Sequence, residues 1–204
     1  LTKSGAIYGI PTGIDTLSLY INAQLFHAAG AEVPNNWEDF IRVARSLTVI
    51  DENGKIKTAG AALGTFDNIN HAPDIMSLLF AQNGADIKNL SSTSKSAADA
   101  LTFYTTFSTG NQKIWDDTLD QSMLFFAKGN LAMYFGYSWD YFIIKAVNPD
   151  LSFQIHPIPH LPGRDMTIAS YWAAGVSSKS KYQKEALLFL AFLAKKETQE
   201  KLFA

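Results

Sequence analysis

Two extended segments, one on either side of a helix-rich middle, constrain this chain more than any other feature. In residues 16–21 the order Thr-Leu-Ser-Leu-Tyr-Ile alternates in part as a strand does, after a turn predicted by Gly9, Pro11 and Gly13. Residues 168–177 are again extended. Between them the period becomes helical. Asn22 is placed to cap a helix over residues 23–29 that Gly30 stops. Trp37, Phe40, Ile41, Ala44 and Leu47 follow i, i+3, i+4, i+7 spacing, so the second helix buries one face. A third begins at Asn70 or Asp74 and runs through Ile75, Leu78, Leu79 and Gln82 to Gly84. A fourth covers residues 95–108, and a fifth covers 122–128 with Gly129 as its stop. Residues 131–135 read as a buried strand and 138–147 as a helix that Ser138 caps. Leu151, Phe153 and Ile155 alternate as a strand that Pro157, Pro159 and Pro162 end. Ser180 is expected to cap a long helix through Leu193, and a last short helix follows. This order predicts an α/β fold with one compact lobe over residues 21–163, whose flanks read as parts of another body.

Composition narrows the function. With 204 residues, 47% of them hydrophobic, the chain can bury a sizeable core as one domain or two small ones. The formal net charge is −2, and the densest basic cluster is only Lys179, Lys181 and Lys184, which argues against nucleic acid as a partner. The absence of cysteine rules out a disulfide scaffold and thiolate metal sites. Residues 1–10 lack the charged-then-apolar order of a signal peptide. The longest apolar run, residues 186–194, falls short of the roughly 18 residues of a membrane span.

Catalytic and cofactor signatures are missing. There is no G-x-G-x-x-G, no P-loop and no H-E-x-x-H, and neither a cofactor nor a metal is expected. His156 and His160 stand four apart, but Pro157 and Pro159 forbid the helix that would align them on one ion. The stretch Gly136-Tyr137-Ser138-Trp139-Asp140 is superficially like a nucleophile elbow without its last glycine, and Ser138 reads better as a helix cap. A glycosidase needs two carboxylates flanking a bond; Asp15, Asp67 and Asp140 are possible partners at separations the sequence does not fix.

Four segments in order carry a resemblance. They are Tyr8-Gly9-Ile10-Pro11-Thr12-Gly13-Ile14-Asp15 through Asn22; Leu25-Phe26-His27-Ala28-Ala29-Gly30 with Pro34 and Asn36-Trp37-Glu38-Asp39-Phe40; Phe126-Ala127-Lys128-Gly129-Asn130-Leu131-Ala132-Met133-Tyr134 with Gly136; and Trp172-Ala173-Ala174-Gly175-Val176-Ser177 with Lys184-Glu185-Ala186 and Phe189-Leu190. Together they resemble the family 1 extracellular solute-binding proteins, the group that contains maltose-binding protein. Asn36 replaces the family's usual threonine, one helix cap for another.

The resemblance implies a type II periplasmic-binding-protein-like fold, with one helix-rich α/β lobe, hinge strands and a partial second lobe. Residues 1–20 would be the first hinge crossover with a remnant of lobe one, 21–163 lobe two, and 164–204 the second crossover and returning part of lobe one. It implies a fragment of a longer extracytoplasmic protein, at the periplasm or the outer face of the cell membrane, often held there by a lipid anchor. It implies no catalysis, a carbohydrate ligand, and the membrane subunits of an ABC importer as partners. A fragment of this kind is expected to associate with itself through uncovered apolar surface.

A sugar offers hydroxyl edges to polar groups and C–H faces to aromatic rings. Asp15 and Thr12 lie in the first crossover, where the resemblance puts an acidic sugar ligand; the alternatives are a turn or strand-edge aspartate for Asp15 and a plain turn residue for Thr12. Trp172 matches a stacking aromatic of the second crossover, against core packing, with Tyr171 beside it. At least one of Tyr137 and Trp139 is expected to reach the cleft, lobe packing being the alternative. Asn68 and Asn70 are candidate hydroxyl partners, Asn70 otherwise a cap, and Asp140 is a candidate otherwise explained by the helix dipole. Trp37 belongs to the core, while Trp115, beside Asp116 and Asp117, is expected at a rim or on the surface. The same fold binding a polyamine or similar solute is the alternative, and a glycoside-acting enzyme ranks below it. Arg42, Arg45 and Arg164 are the only arginines, which argues against an anion.

Overall fold

The computed structural model describes residues 2–3, 6–110 and 113–202. In chain order the elements are β1 (Thr2–Lys3), β2 (Ala6–Ile7), β3 (Ile10–Thr16), β4 (Ser18–Asn22), α1 (Ala23–Ala29), α2 (Trp37–Ser46), β5 (Val49–Ile50), β6 (Ile56–Ala61), α3 (Ala72–Gln82), a 3-10 turn (Leu90–Thr93) and α4 (Ser94–Thr105). They continue with α5 (Ser122–Ala127), β7 (Leu131–Gly136), α6 (Ser138–Val147), β8 (Phe153–His156), β9 (Ala169–Ala174), α7 (Gln183–Leu193) and α8 (Lys196–Leu202). The chain divides into two compact units, residues 16–168 and residues 1–15 with 169–204. The division lies a few residues outside the expected 20/21 and 163/164 boundaries, for a bonding reason. The Leu17 N–H donates to the Ile168 carbonyl at 2.9 Å, and Thr167 Oγ1 donates to the Leu17 carbonyl at 3.0 Å, so both stretches belong to the larger unit.

The larger unit is built on a five-stranded sheet of order β5-β6-β7-β4-β8. β4 is antiparallel to β7 on one side and β8 on the other, with Tyr20 opposite Tyr134 and Ile155. β6 runs parallel to β7. Local chemistry sets the helices around it. The Asn22 carboxamide oxygen accepts from the N–H groups of Gln24 and Leu25, and Gly30 closes α1 in the left-handed region at φ 59°. Asn36 caps α2 by accepting from the Asp39 N–H at 2.9 Å, and α2 buries Trp37, Phe40, Val43 and Ala44. The aromatic core continues through Tyr20, Phe126, Tyr134 and Phe135.

Several expectations shift. β6 has no alternating signature because its interior is Thr-Ala-Gly-Ala: α2 crosses so close that a Cβ on Gly60 would overlap the Ala44 carbonyl. Residues 10–16 form β3 rather than a turn; Pro11 is tolerated because, among the described residues, β3 pairs with β9 in a two-stranded sheet, which leaves one side of each strand unpaired. The residue that caps α6 is Tyr137, with Ser138 the first helical residue, and α7 is preceded by Tyr182 rather than Ser180, whose hydroxyl accepts from the Tyr182 N–H. In the smaller unit, no residue of α7 or α8 is buried. No helix among the described residues is long and apolar enough to cross a membrane.

Candidate functional site

In the larger unit the chemistry gathers where β7 turns into α6. Gly136 is required there: a Cβ on it would lie 2.6 Å from a carboxylate oxygen of Asp140. That oxygen accepts from the Tyr134 hydroxyl at 2.8 Å and from the Tyr137 N–H at 3.1 Å, and pairs with His71 Nε2 at 2.8 Å. Burial, and then the neighbouring Asp140 charge, hold the Tyr134 phenol well above the ordinary tyrosine range, so it remains a donor. The Tyr20 hydroxyl donates to the Tyr137 carbonyl at 2.6 Å. Tyr137 and Trp139 stack with ring centroids 4.5 Å apart and planes at 20°, and the His71 ring meets Tyr137 edge-on at 5.0 Å.

His71 is the one described non-glycine residue with a positive φ, 61°. It stands at the start of α3, the place expected for Asn70 or Asp74, and its side chain turns to Asp140 instead of capping its own helix. A backbone of this kind costs on the order of 1–3 kcal/mol and persists only where its surroundings enforce it.

These contacts reassign part of the expected site. Asp140 is 2% exposed, and its bonded oxygen is held by the β7–α6 turn and His71. Tyr137, also 2% exposed, lies in the core, which leaves the half-buried Trp139 as the ring of the pair with an accessible part. Asn68 donates from its amide to the carbonyls of Asp116 and Leu119 and accepts from Thr65 and from Trp115 Nε1, so every polar site of its carboxamide is used. Trp115 is fully buried, not at a rim, because Asn68 and Thr65 satisfy its indole N–H. Asn70 caps α5 rather than α3: its oxygen accepts from the Met123 N–H and the Ser122 hydroxyl. The same loop carries the exposed Phe66. His156 bonds Gln154 on β8, and among the described residues no group of three or more histidines and carboxylates is placed to hold a metal ion.

In the smaller unit the candidates fall on β3 and β9. Thr12 Oγ1 donates to the Trp172 carbonyl at 3.3 Å, which joins the two strands at these residues. Trp172 is 72% exposed and Tyr171 is exposed too. Asp15, half-buried, shares β3 with Thr12. Polar groups and an open indole therefore share one small sheet. Sequence reasoning missed the part that His71 plays here. The signal for His71 is a backbone angle, which composition and periodicity do not carry.

Comparison with known proteins extends this picture. The family model described as bacterial extracellular solute-binding protein matches residues 1–200. No functionally curated protein matches the sequence significantly. Among solved structures, a cyclo/maltodextrin-binding protein complexed with maltotetraose is similar at TM-score 0.76 and 21% identity, over 100% of this chain and 52% of its own. An ABC substrate-binding protein from Listeria monocytogenes in complex with cycloalternan has TM-score 0.75 and 21% identity, over 97% and 50%. An ABC transporter solute-binding protein from Thermotoga lettingae, bound with alpha-D-tagatose, has TM-score 0.71 and 21% identity, over 98% and 53%. The chain spans about half the length of each, and the shared fold is that of type II periplasmic binding proteins.

Proposed function

Because the chain belongs to the family of bacterial extracellular solute-binding proteins, we propose that it serves in the capture of a carbohydrate for an ABC importer, without catalysis. The observation that carries this reading is the open indole of Trp172, on a strand tied to Thr12 and paired with the strand that holds Asp15. A saccharide needs that combination: a ring for its C–H face and oxygen atoms for its hydroxyls. Each hydrogen bond to the Asp15 carboxylate would contribute about 1.5–3 kcal/mol. Tyr171, Trp139 and Asn70 are proposed as further contacts, Asn70 through the part of its amide not used at α5. The intact protein would work outside the cytoplasm, at the periplasm or the outer face of the membrane, there anchored by lipid, and would close two lobes on its ligand before delivery to the membrane subunits. The 204-residue chain is expected to associate with itself, since Leu187, Leu188, Phe189 and Phe192 of α7 are open to solvent.

The test is a thermal-shift screen of the intact protein with maltotetraose, mannobiose, tagatose, cycloalternan and spermidine. A ligand at 100 times its dissociation constant stabilises the fold by about 2.7 kcal/mol. A shift with a saccharide that Trp172→Ala abolishes supports the reading. A shift with spermidine alone discards the carbohydrate assignment, and turnover of a chromogenic glycoside would end the non-catalytic one.

A further inference from the structure

His71 reaches the Asp140 carboxylate from the start of α3, far in sequence from Tyr134 and Tyr137, the other groups bonded to that oxygen. Its ring does two things at once. Nε2 lies 2.8 Å from the Asp140 carboxylate, which itself holds the Tyr137 N–H, and the His71 and Tyr137 rings meet in a T-shaped contact at 87°, 5.0 Å between centroids. Trp139, stacked on Tyr137, is also within ring contact of His71 at 6.4 Å. The left-handed backbone at residue 71 is a conformation uncommon outside glycine, which adopts it freely; asparagine, aspartate and histidine adopt it more readily than other residues. A bare turn into α3 would be served as well by glycine or asparagine; the histidine side chain adds a brace between the start of α3 and the start of α6.

We infer that His71 is a positioning residue: acting through Asp140 and Tyr137, it fixes the angle at which Trp139 presents its ring, and so sets ligand affinity. The affinity clause rests on the carbohydrate reading above; the bracing of the ring pair does not. The carboxylate supplies the anchor, Tyr137 transmits it by stacking, and Trp139 is the ring with an accessible part.

The deciding variant is His71→Gly, which deletes the ring and relieves the backbone angle together. Near-UV circular dichroism, taken as the difference with and without Trp139→Phe, isolates the signal of the stacked pair. We expect His71→Gly to lose most of that signal, to melt within a few degrees of wild type, and to bind maltotetraose about tenfold more weakly. His71→Asn, which also accepts the left-handed region, should behave likewise and decides the matter if the glycine variant melts early. An unchanged pair signal in both variants overturns the inference, and so does a lost signal with unchanged affinity. If wild type binds no saccharide of the panel while the pair signal still collapses, the carbohydrate reading falls and the bracing role stands.

Discussion

Trp115 and Trp172 show how differently the two units treat the same side chain. In the larger unit Trp115 is fully enclosed and its indole N–H reaches Asn68 and Thr65, although its sequence neighbours are aspartates. In the smaller unit Trp172 stands open beside the exposed Tyr171 on a strand, and α7, apolar over most of its length, has no fully buried residue. The larger unit has a closed core; the smaller presents its apolar residues. For these two tryptophans the difference lies in the partners each finds: Trp115 has Asn68 and Thr65 for its indole N–H and a packed surround, while Trp172 stands open.

The contrast can be broken by mutation. Trp115→Ala should cost about 3–5 kcal/mol in urea unfolding, as expected for a large buried ring. A loss below about 1 kcal/mol would mean that the loop over residues 113–119 does not close the core. Gly60→Val should cost about 3 kcal/mol by forcing α2 off β6; a variant that melts with wild type would refute that close approach. Asn68→Ala, which strips partners from two carbonyls and from Trp115, should cost about 2 kcal/mol in the same assay.

A pH effect sharpens the comparison from inside the core. The folded state holds the Tyr134 phenol above its ordinary value of about 10. Its contribution is thus fully present below that pH and is lost as the pH rises past it, because the unfolded chain ionises first. Thermal melts from pH 9 to 11 should fall less steeply for Tyr134→Phe than for wild type. Smallest of all, Trp172→Ala should change unfolding by less than about 0.5 kcal/mol, and a cost equal to that of Trp115→Ala would abolish the distinction between the units.

Most of the fold is legible in the sequence where one residue does one local job. Asn22, Gly30 and Asn36 mark helix ends by their own chemistry, and Trp37 and Phe40 follow helical spacing into the core. The site is less legible because its residues act over long separations. Asp140 and His71 are 69 positions apart, and Asn68 and Trp115 are 47 apart. Nothing in the local pattern shows that these side chains satisfy one another. β6 escaped for a related reason: its small residues answer to the backbone of α2, not to a period of their own.

The hydrogen bond between Leu17 and Ile168 gives the larger unit an unusual portability. Its chain enters and leaves at one point, so the unit is an insert with adjoining ends, the arrangement that tolerates circular permutation and transplantation. Joining residues 16 and 168 by a short linker and opening the chain at the Asn53-Gly54 turn should leave all five strands paired. Evolution or an engineer can thus exchange this insert whole, with its aromatic brace intact, while the strands that carry Thr12 and Trp172 stay as they are.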